Sequence, residues 1–207
     1  MVKTERKIIR LSVADYIRDF RDAERIIGYC KECENYDAVW ACPPYEFDTL
    51  ERIRHYKYVH LIGIKVIIDD VTRHSPTNAR EQKEISYRVM KDVREDLDKQ
   101  LLEVENNYPG TLAFFAGNCF ICHPEECTRR IGKPCIHPQK ARSSLEAYGF
   151  DISKTASELF GIELQWSENF LLPEYFLLVS GLFSDYEVTK AIFGEDKIFT
   201  PFEFDSE

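Results

Sequence analysis

Seven cysteines in two groups constrain this chain more than any other feature of its sequence. They are Cys30, Cys33 and Cys42 in the first group, and Cys119, Cys122, Cys127 and Cys135 in the second. The charged N-terminus is followed by no apolar run of secretory length, so we expect a cytoplasmic protein whose thiols stay reduced. An odd number of thiols also cannot pair completely within one chain. The cysteines therefore predict metal binding rather than a disulfide framework.

The first group has the spacing of metal ligands. Two residues separate Cys30 from Cys33, and eight residues later Cys42 is followed by Pro43 and Pro44. A two-residue spacer folds back tightly, so both sulfurs can face one ion or one side of a cluster. The proline pair restricts the backbone beside the third thiol. Buried structural thiols are the alternative, but free cysteines rarely cluster in a polar, proline-flanked loop.

The second group is a stronger signal because four thiols lie within seventeen residues, separated by two, four and seven positions. A bacterial ferredoxin loop is tighter, with spacers of two, two and three residues. The loop here is a stretched relative of that arrangement. His123 and His137 adjoin cysteines and are candidate replacements for a thiol ligand, although such histidines more often orient a ligand or face solvent.

The identity of the metal is open at this stage, because soft thiolate sets suit both zinc and iron–sulfur clusters. Zinc loops usually contain two CxxC pairs, and each group here contains one. A zinc site would therefore need Cys30 and Cys33 to meet Cys119 and Cys122 across the fold. We favour one or two [4Fe–4S] clusters, with zinc as the alternative cofactor.

The order of apolar patterns predicts an α/β protein of mixed α and β layers, with one central sheet, packed helices and two cysteine-rich metal-binding loops. We expect residues 1–207 to form a single domain, with the loops at about 28–46 and 117–138. Strands are predicted at 7–13, 58–68, 111–116, 162–166 and 175–183. Helices are predicted at 14–27 (ended by Gly28), 48–56 (capped by Asp48), 79–105, 143–148 and 153–160.

Two blocks of the sequence resemble a known family. The first is Cys30-x-x-Cys33-x-x-Tyr36 followed by Trp40-x-Cys42-Pro43-Pro44. The second contains Ala116-Gly117-x-Cys119-x-x-Cys122, Lys133-Pro134-Cys135-x-His137-Pro138 and Arg142-x-Ser144-x-Glu146-Ala147-x-Gly149. Together they resemble the predicted metal-binding proteins known as domain of unknown function 2284, over residues 20 to 185. The resemblance implies metal binding in a cytoplasmic, often anaerobic, setting, and it implies no particular reaction.

Three functions follow from these patterns. In the leading hypothesis the second group binds one [4Fe–4S] cluster completely and the first group binds another through three irons. Such a protein would transfer electrons or act as an oxidoreductase, lyase or desulfurase, with a redox partner or a small-molecule substrate. A structural or regulatory zinc protein is the second hypothesis, and a metal chaperone or sensor is the third. The net charge of −9 argues against nucleic acid, and no segment is long and apolar enough for a membrane. The oligomeric state is left open.

Overall fold

The computed structural model describes residues 3–123 and 125–188. Its strands are β1 (Lys3–Ser12), β2 (Tyr58–Ile67), β3 (Thr111–Phe114) and β4 (Tyr175–Ser184). Its α-helices are α1 (Val13–Phe20), α2 (Ala23–Lys31), α3 (Asp70–Arg73), α4 (Ala79–Asn107) and α5 (Ile152–Lys154). Short 3-10 turns cover Thr128–Ile131 and Glu146–Tyr148, and a π-helical turn covers Thr155–Phe160.

The four strands form one antiparallel sheet in the order β1-β2-β4-β3. Strand β2 lies inside the sheet, where Ile62 pairs with Ile8 of β1 on one side and Ser180 of β4 on the other. Both cysteine-rich segments lie in long connections between strands, the first between β1 and β2 and the second between β3 and β4. The mixed α/β class predicted from the sequence is confirmed.

Both faces of the sheet are buried, because side chains of β2 alternate between two apolar clusters. Val59 and Leu61 point into a cluster that includes α1 and Phe183. Ile62, Ile64 and Val66 point to the opposite face, which is covered by Leu97, Leu101 and Val104 of α4. A strand buried on both faces reads as a continuous apolar run, which is why β2 is so evident in the sequence.

The helix predicted over 14–27 is in fact two helices. Arg21 has an extended backbone, and its side chain donates to the Tyr148 carbonyl, so α1 ends before it. The Asp22 side chain then caps α2 by accepting from the Arg25 N–H at 3.2 Å. The prediction that Gly28 ends this helix is wrong, since α2 continues to Lys31 and includes Cys30.

Other boundaries differ where tertiary contacts outweigh local pattern. Asp48 accepts from the Leu50 and Glu51 N–H groups as a cap, but the residues after it form turns instead of the predicted helix. Residues 162–166 form no strand, and the predicted helix over 153–160 is α5 followed by a π-helical turn. The predicted helix over 143–148 is reduced to the 3-10 turn Glu146–Tyr148.

No helix within residues 3–123 and 125–188 combines the length and apolar character that crossing a membrane requires. That residues 1–207 make a single domain stays a prediction.

Candidate metal centre

The first cysteine group begins on a helix and continues through successive turns. Cys30 lies in the last turn of α2, and the Cys33 N–H donates to the Cys30 carbonyl at 3.0 Å. The chain turns again where the Tyr36 N–H donates to the Cys33 carbonyl at 3.0 Å, and the Cys42 N–H donates to the Val39 carbonyl at 2.9 Å. Cys33 is exposed, whereas Cys30 and Cys42 are half-buried. Helix α2 and the turns after it thus set the spacing of these three thiols.

The second group surrounds a cavity. Cys119, Cys122, Cys127 and Cys135 all line one space of about 840 Å³, which opens between α4, the second cysteine-rich segment and residues 39–41. His123 and His137 line the same space, and the His123 ring packs on Tyr87 of α4 at a centroid distance of 4.3 Å. The four thiols of the second group therefore border the same cavity.

The half-buried thiols of Cys42 and Cys119 resist ionisation. Burial, together with the neighbouring thiols of Cys33, Cys30 and Cys119, raises the pKa of Cys42 to about 12. Burial likewise raises the pKa of Cys119 to about 11, and Cys122, Cys135 and Cys127 add to the shift. A metal ion or cluster would supply the missing positive charge, because it binds the thiolate and displaces the proton.

These interactions also show which thiols are neighbours. The Cys33 thiol contributes to the raised pKa of Cys30, and the Cys30 and Cys33 thiols both contribute to the raised pKa of Cys42. Cys119 is influenced by the other three thiols of its own group. The Cys119 thiol also contributes to the raised pKa of Cys42. The structure thus preserves the two groups seen in the sequence and sets them side by side.

Arg129 of the second segment holds the first segment in place. Its guanidinium donates to the carbonyls of Val39 (3.0 Å), Cys42 (2.7 Å) and Pro44 (2.8 Å), and to the Asp37 carboxylate at 2.8 Å. Three main-chain carbonyls between residues 39 and 44 accept hydrogen bonds from this guanidinium. These bonds stabilise the turn that carries Cys42.

Two further bonds connect the segments. The Trp40 indole N–H donates to the Lys133 carbonyl at 2.9 Å, and Arg130 donates to the Glu34 carbonyl at 3.3 Å. The Arg129 guanidinium also lies over the Trp40 ring, 5.2 Å from its centroid. Arg129, Arg130 and Lys133, which in the sequence are only a basic stretch, therefore join the two cysteine groups.

Arg94 is a buried cation whose charge interacts with Cys119 of the second group. Arg94 of α4 is buried, donates to the Asn118 carbonyl at 2.8 Å, and lies 3.6 Å from Asp98. The positive charge of Arg94 interacts electrostatically with the Cys119 thiol and the Glu146 carboxylate. Burial raises the pKa of Glu146, partly offset by hydrogen bonds from its own backbone and Ser144 and by the Arg94 charge. Sequence reasoning missed Arg94 and Asp98, because an arginine and an aspartate four residues apart on a helix resemble an ordinary surface pair.

The donor chemistry fits a soft metal centre. Four thiols around one cavity, and three more beside it, are the ligands preferred by zinc and by iron–sulfur clusters. In the part of the chain that the structure describes, no three His, Cys, Asp or Glu side chains stand in position to hold a single ion.

Fold and thiols together define a mixed α/β protein with two cysteine-rich segments held against each other. The chain belongs to the family of predicted metal-binding proteins, domain of unknown function 2284, whose model matches residues 17–179. That match includes all seven cysteines. No curated protein and no solved structure matches the chain.

Proposed function

We propose that this chain is an iron–sulfur protein with two cluster sites. Cys119, Cys122, Cys127 and Cys135 would hold one [4Fe–4S] cluster completely, and Cys30, Cys33 and Cys42 would hold a second through three irons. The observation that carries this proposal is the single cavity lined by all four thiols of the second group. One segment would supply the four cysteine thiolates that a [4Fe–4S] cluster requires.

The grouping of thiols favours iron–sulfur clusters over zinc. A zinc site built from two CxxC pairs would bring Cys30 and Cys33 to Cys119 and Cys122. The pKa of Cys119 is instead raised by the three other thiols of its own segment, and that of Cys42 by Cys33 and Cys30, with Cys119 adding to it. Five cationic residues between 128 and 142, with no acidic residue among them, would also offset the negative charge of a thiolate-bound cluster.

A bound cluster would supply either electron transfer or Lewis-acid chemistry. A second cavity, of about 550 Å³, gives a small-molecule substrate a place beside Cys135. Tyr45 and Phe47 form an aromatic wall of this cavity, Arg52 contributes positive charge, and Arg142 is ion-paired with the Glu105 carboxylate in the same lining. These walls fit an anionic, partly apolar molecule. We propose a cytoplasmic protein that acts on such a substrate or exchanges electrons with a redox partner.

Metal and acid-labile sulfide analysis of anaerobically purified protein tests this proposal. We expect iron and sulfide in equal amounts, enough for two clusters, and a brown colour. Cys42→Ser and Cys127→Ser should each remove one cluster's worth of iron, since each alters one site. A colourless protein with zinc and no sulfide would overturn the proposal, and so would loss of all iron from either single variant.

A further inference from the structure

The cavity of about 550 Å³ beside Cys135 has one positive charge in excess. Apart from the cysteine, the charged residues of its lining are Arg52, Glu105 and Arg142. Glu105 and Arg142 form an ion pair and neutralise each other. In the described part of the chain Arg52 forms no ion pair, and its guanidinium lies over the Phe47 ring, 4.8 Å from the centroid. In a chain of net charge −9, this guanidinium is therefore left to meet an anion.

The turns after Asp48 place Arg52 at the edge of the cavity. The Arg52 N–H donates to the Asp48 carbonyl at 3.2 Å, and the next residue, Ile53, is fully buried in the core. Arg52 itself is exposed. Arg54, two residues further on, is also exposed, but it is paired with Glu51 at 2.7 Å and does not line the cavity. The two arginines thus share a segment and a charge and differ in what they face.

Tyr148 supplies a hydrogen-bond donor to the same cavity. It lines the cavity and is 3% exposed, and its ring packs edge-on against Phe114 at a centroid distance of 4.7 Å. Its hydroxyl makes no hydrogen bond to any residue that the structure describes, whereas the Tyr45 hydroxyl donates to the Ala41 carbonyl at 2.6 Å. Burial raises the pKa of Tyr148 to about 12, so the phenol keeps its proton at neutral pH. A buried hydroxyl without a partner is costly, and a ligand oxygen would satisfy it.

The opposite requirement, for an apolar ring, comes from the aromatic wall. Tyr45 and Phe47 stack with their centroids 4.9 Å apart, and the Phe47 ring remains 41% exposed. Trp40, which also lines the cavity, is likewise 41% exposed. A planar ring entering the cavity would bury these faces and gain the offset or edge-to-face contacts that aromatic pairs prefer.

We propose that this cavity binds an aromatic monocarboxylate. The carboxylate accepts hydrogen bonds from the Arg52 guanidinium and the Tyr148 hydroxyl, and the ring packs on Tyr45 and Phe47. A guanidinium matches the planar, two-oxygen geometry of a carboxylate. One excess positive charge balances one carboxylate, whereas a dianion would bring an uncompensated charge near Glu105. The inference rests on the proposed function, because it names the class of substrate that the proposed centre would act on.

Isothermal titration calorimetry of anaerobically purified protein tests this site without an activity assay. The probes are hydrocinnamate, which has a phenyl ring on a short carboxylate chain, its neutral amide, and the cyclohexyl analogue of the acid. Wild-type protein should bind hydrocinnamate about tenfold or more tightly than the amide, since a charge-assisted hydrogen bond is lost with the charge. It should bind hydrocinnamate about threefold or more tightly than the cyclohexyl acid, which cannot make aromatic contacts.

Arg52→Gln should raise the Kd of hydrocinnamate by about tenfold or more and change that of the amide by less than about threefold. Tyr148→Phe, which keeps the ring in the core, should raise the Kd of hydrocinnamate by about fivefold. Arg54→Gln is the matched control and should change neither affinity by more than about twofold.

Three results would overturn the assignment: no saturable binding of hydrocinnamate, equal affinity for the acid and its amide, or equal effects of Arg52→Gln and Arg54→Gln. Equal affinity for hydrocinnamate and the cyclohexyl acid would refute the aromatic part. Iron and sulfide measured in the same samples keep the two proposals apart. Protein that contains both but fails these binding tests refutes the substrate class alone, and protein that binds as expected without iron and sulfide refutes the proposed function.

Discussion

Replacing Arg129 with alanine should loosen the first cysteine-rich segment from the second, because one guanidinium spans them. The Arg129 side chain is 11% exposed, and its bonds to the Val39 and Cys42 carbonyls are half-buried. Each such charge-assisted bond contributes about 1.5 kcal/mol. Its partner Asp37 is 68% exposed, so that ion pair adds about 0.5 kcal/mol or less. We expect Arg129→Ala to lower the free energy of unfolding by about 3 kcal/mol.

Urea unfolding of the anaerobically purified protein measures this loss, and Arg130→Ala is its control. Arg130 is the neighbouring residue with the same charge, but it makes one 3.3 Å bond to the Glu34 carbonyl and a 3.8 Å ion pair with Glu126. Its removal should cost about 0.5 kcal/mol. In thermal unfolding the Arg129 loss corresponds to a decrease of about 6–12 °C.

Arg129→Lys should recover less than half of the lost stability, since an ammonium group cannot reach the carbonyls of Val39, Cys42 and Pro44 together as the planar guanidinium does. Equal losses for Arg129→Ala and Arg130→Ala, or a loss below about 1 kcal/mol for Arg129→Ala, would refute the role assigned to these bonds.

Two further changes test the packing and the electrostatics of the fold. Gly149→Ala should lower the free energy of unfolding by about 3 kcal/mol, because the new Cβ meets the Ala23 backbone and the φ is +85°. Gly28→Ala in α2, with nothing within 4 Å of its Cβ, should instead add about 0.5–1 kcal/mol. Burial raises the pKa of Asp98 to about 7, so the folded protein holds a proton that the unfolded chain releases near pH 4. Stability should therefore fall as pH rises from 4 to 7, and Asp98→Asn should lessen that decline by up to about 1.4 kcal/mol per pH unit.

Urea midpoints at pH 5, 6 and 7 give the slope for Asp98→Asn, and parallel curves for the variant and wild type would contradict the raised pKa. For the glycines, similar stabilities of Gly149→Ala and Gly28→Ala would show that the contact with Ala23 is not tight.

Much of the sheet and the long helix could be predicted from the sequence. Strand β2 is rich in Val, Ile and Leu, and α4 repeats apolar residues every four positions, so the local pattern was sufficient to predict both elements. The break between α1 and α2 was not predictable, because it depends on Arg21 bonding to the distant Tyr148 carbonyl. Residues 162–166 have an apolar composition typical of a strand, but they do not pair with any strand of the sheet.

By itself, the sequence predicted thiol ligands, since the cysteines and their spacing are local properties of two short segments. It also identified the family through those same motifs. Tertiary structure alone decided that the two cysteine-rich segments lie side by side and that Arg129 joins them. The hydrogen bonds of Arg129 connect residues 85 to 90 positions apart. Because such contacts depend on how the sheet and α4 place their connecting segments, no local pattern encodes them.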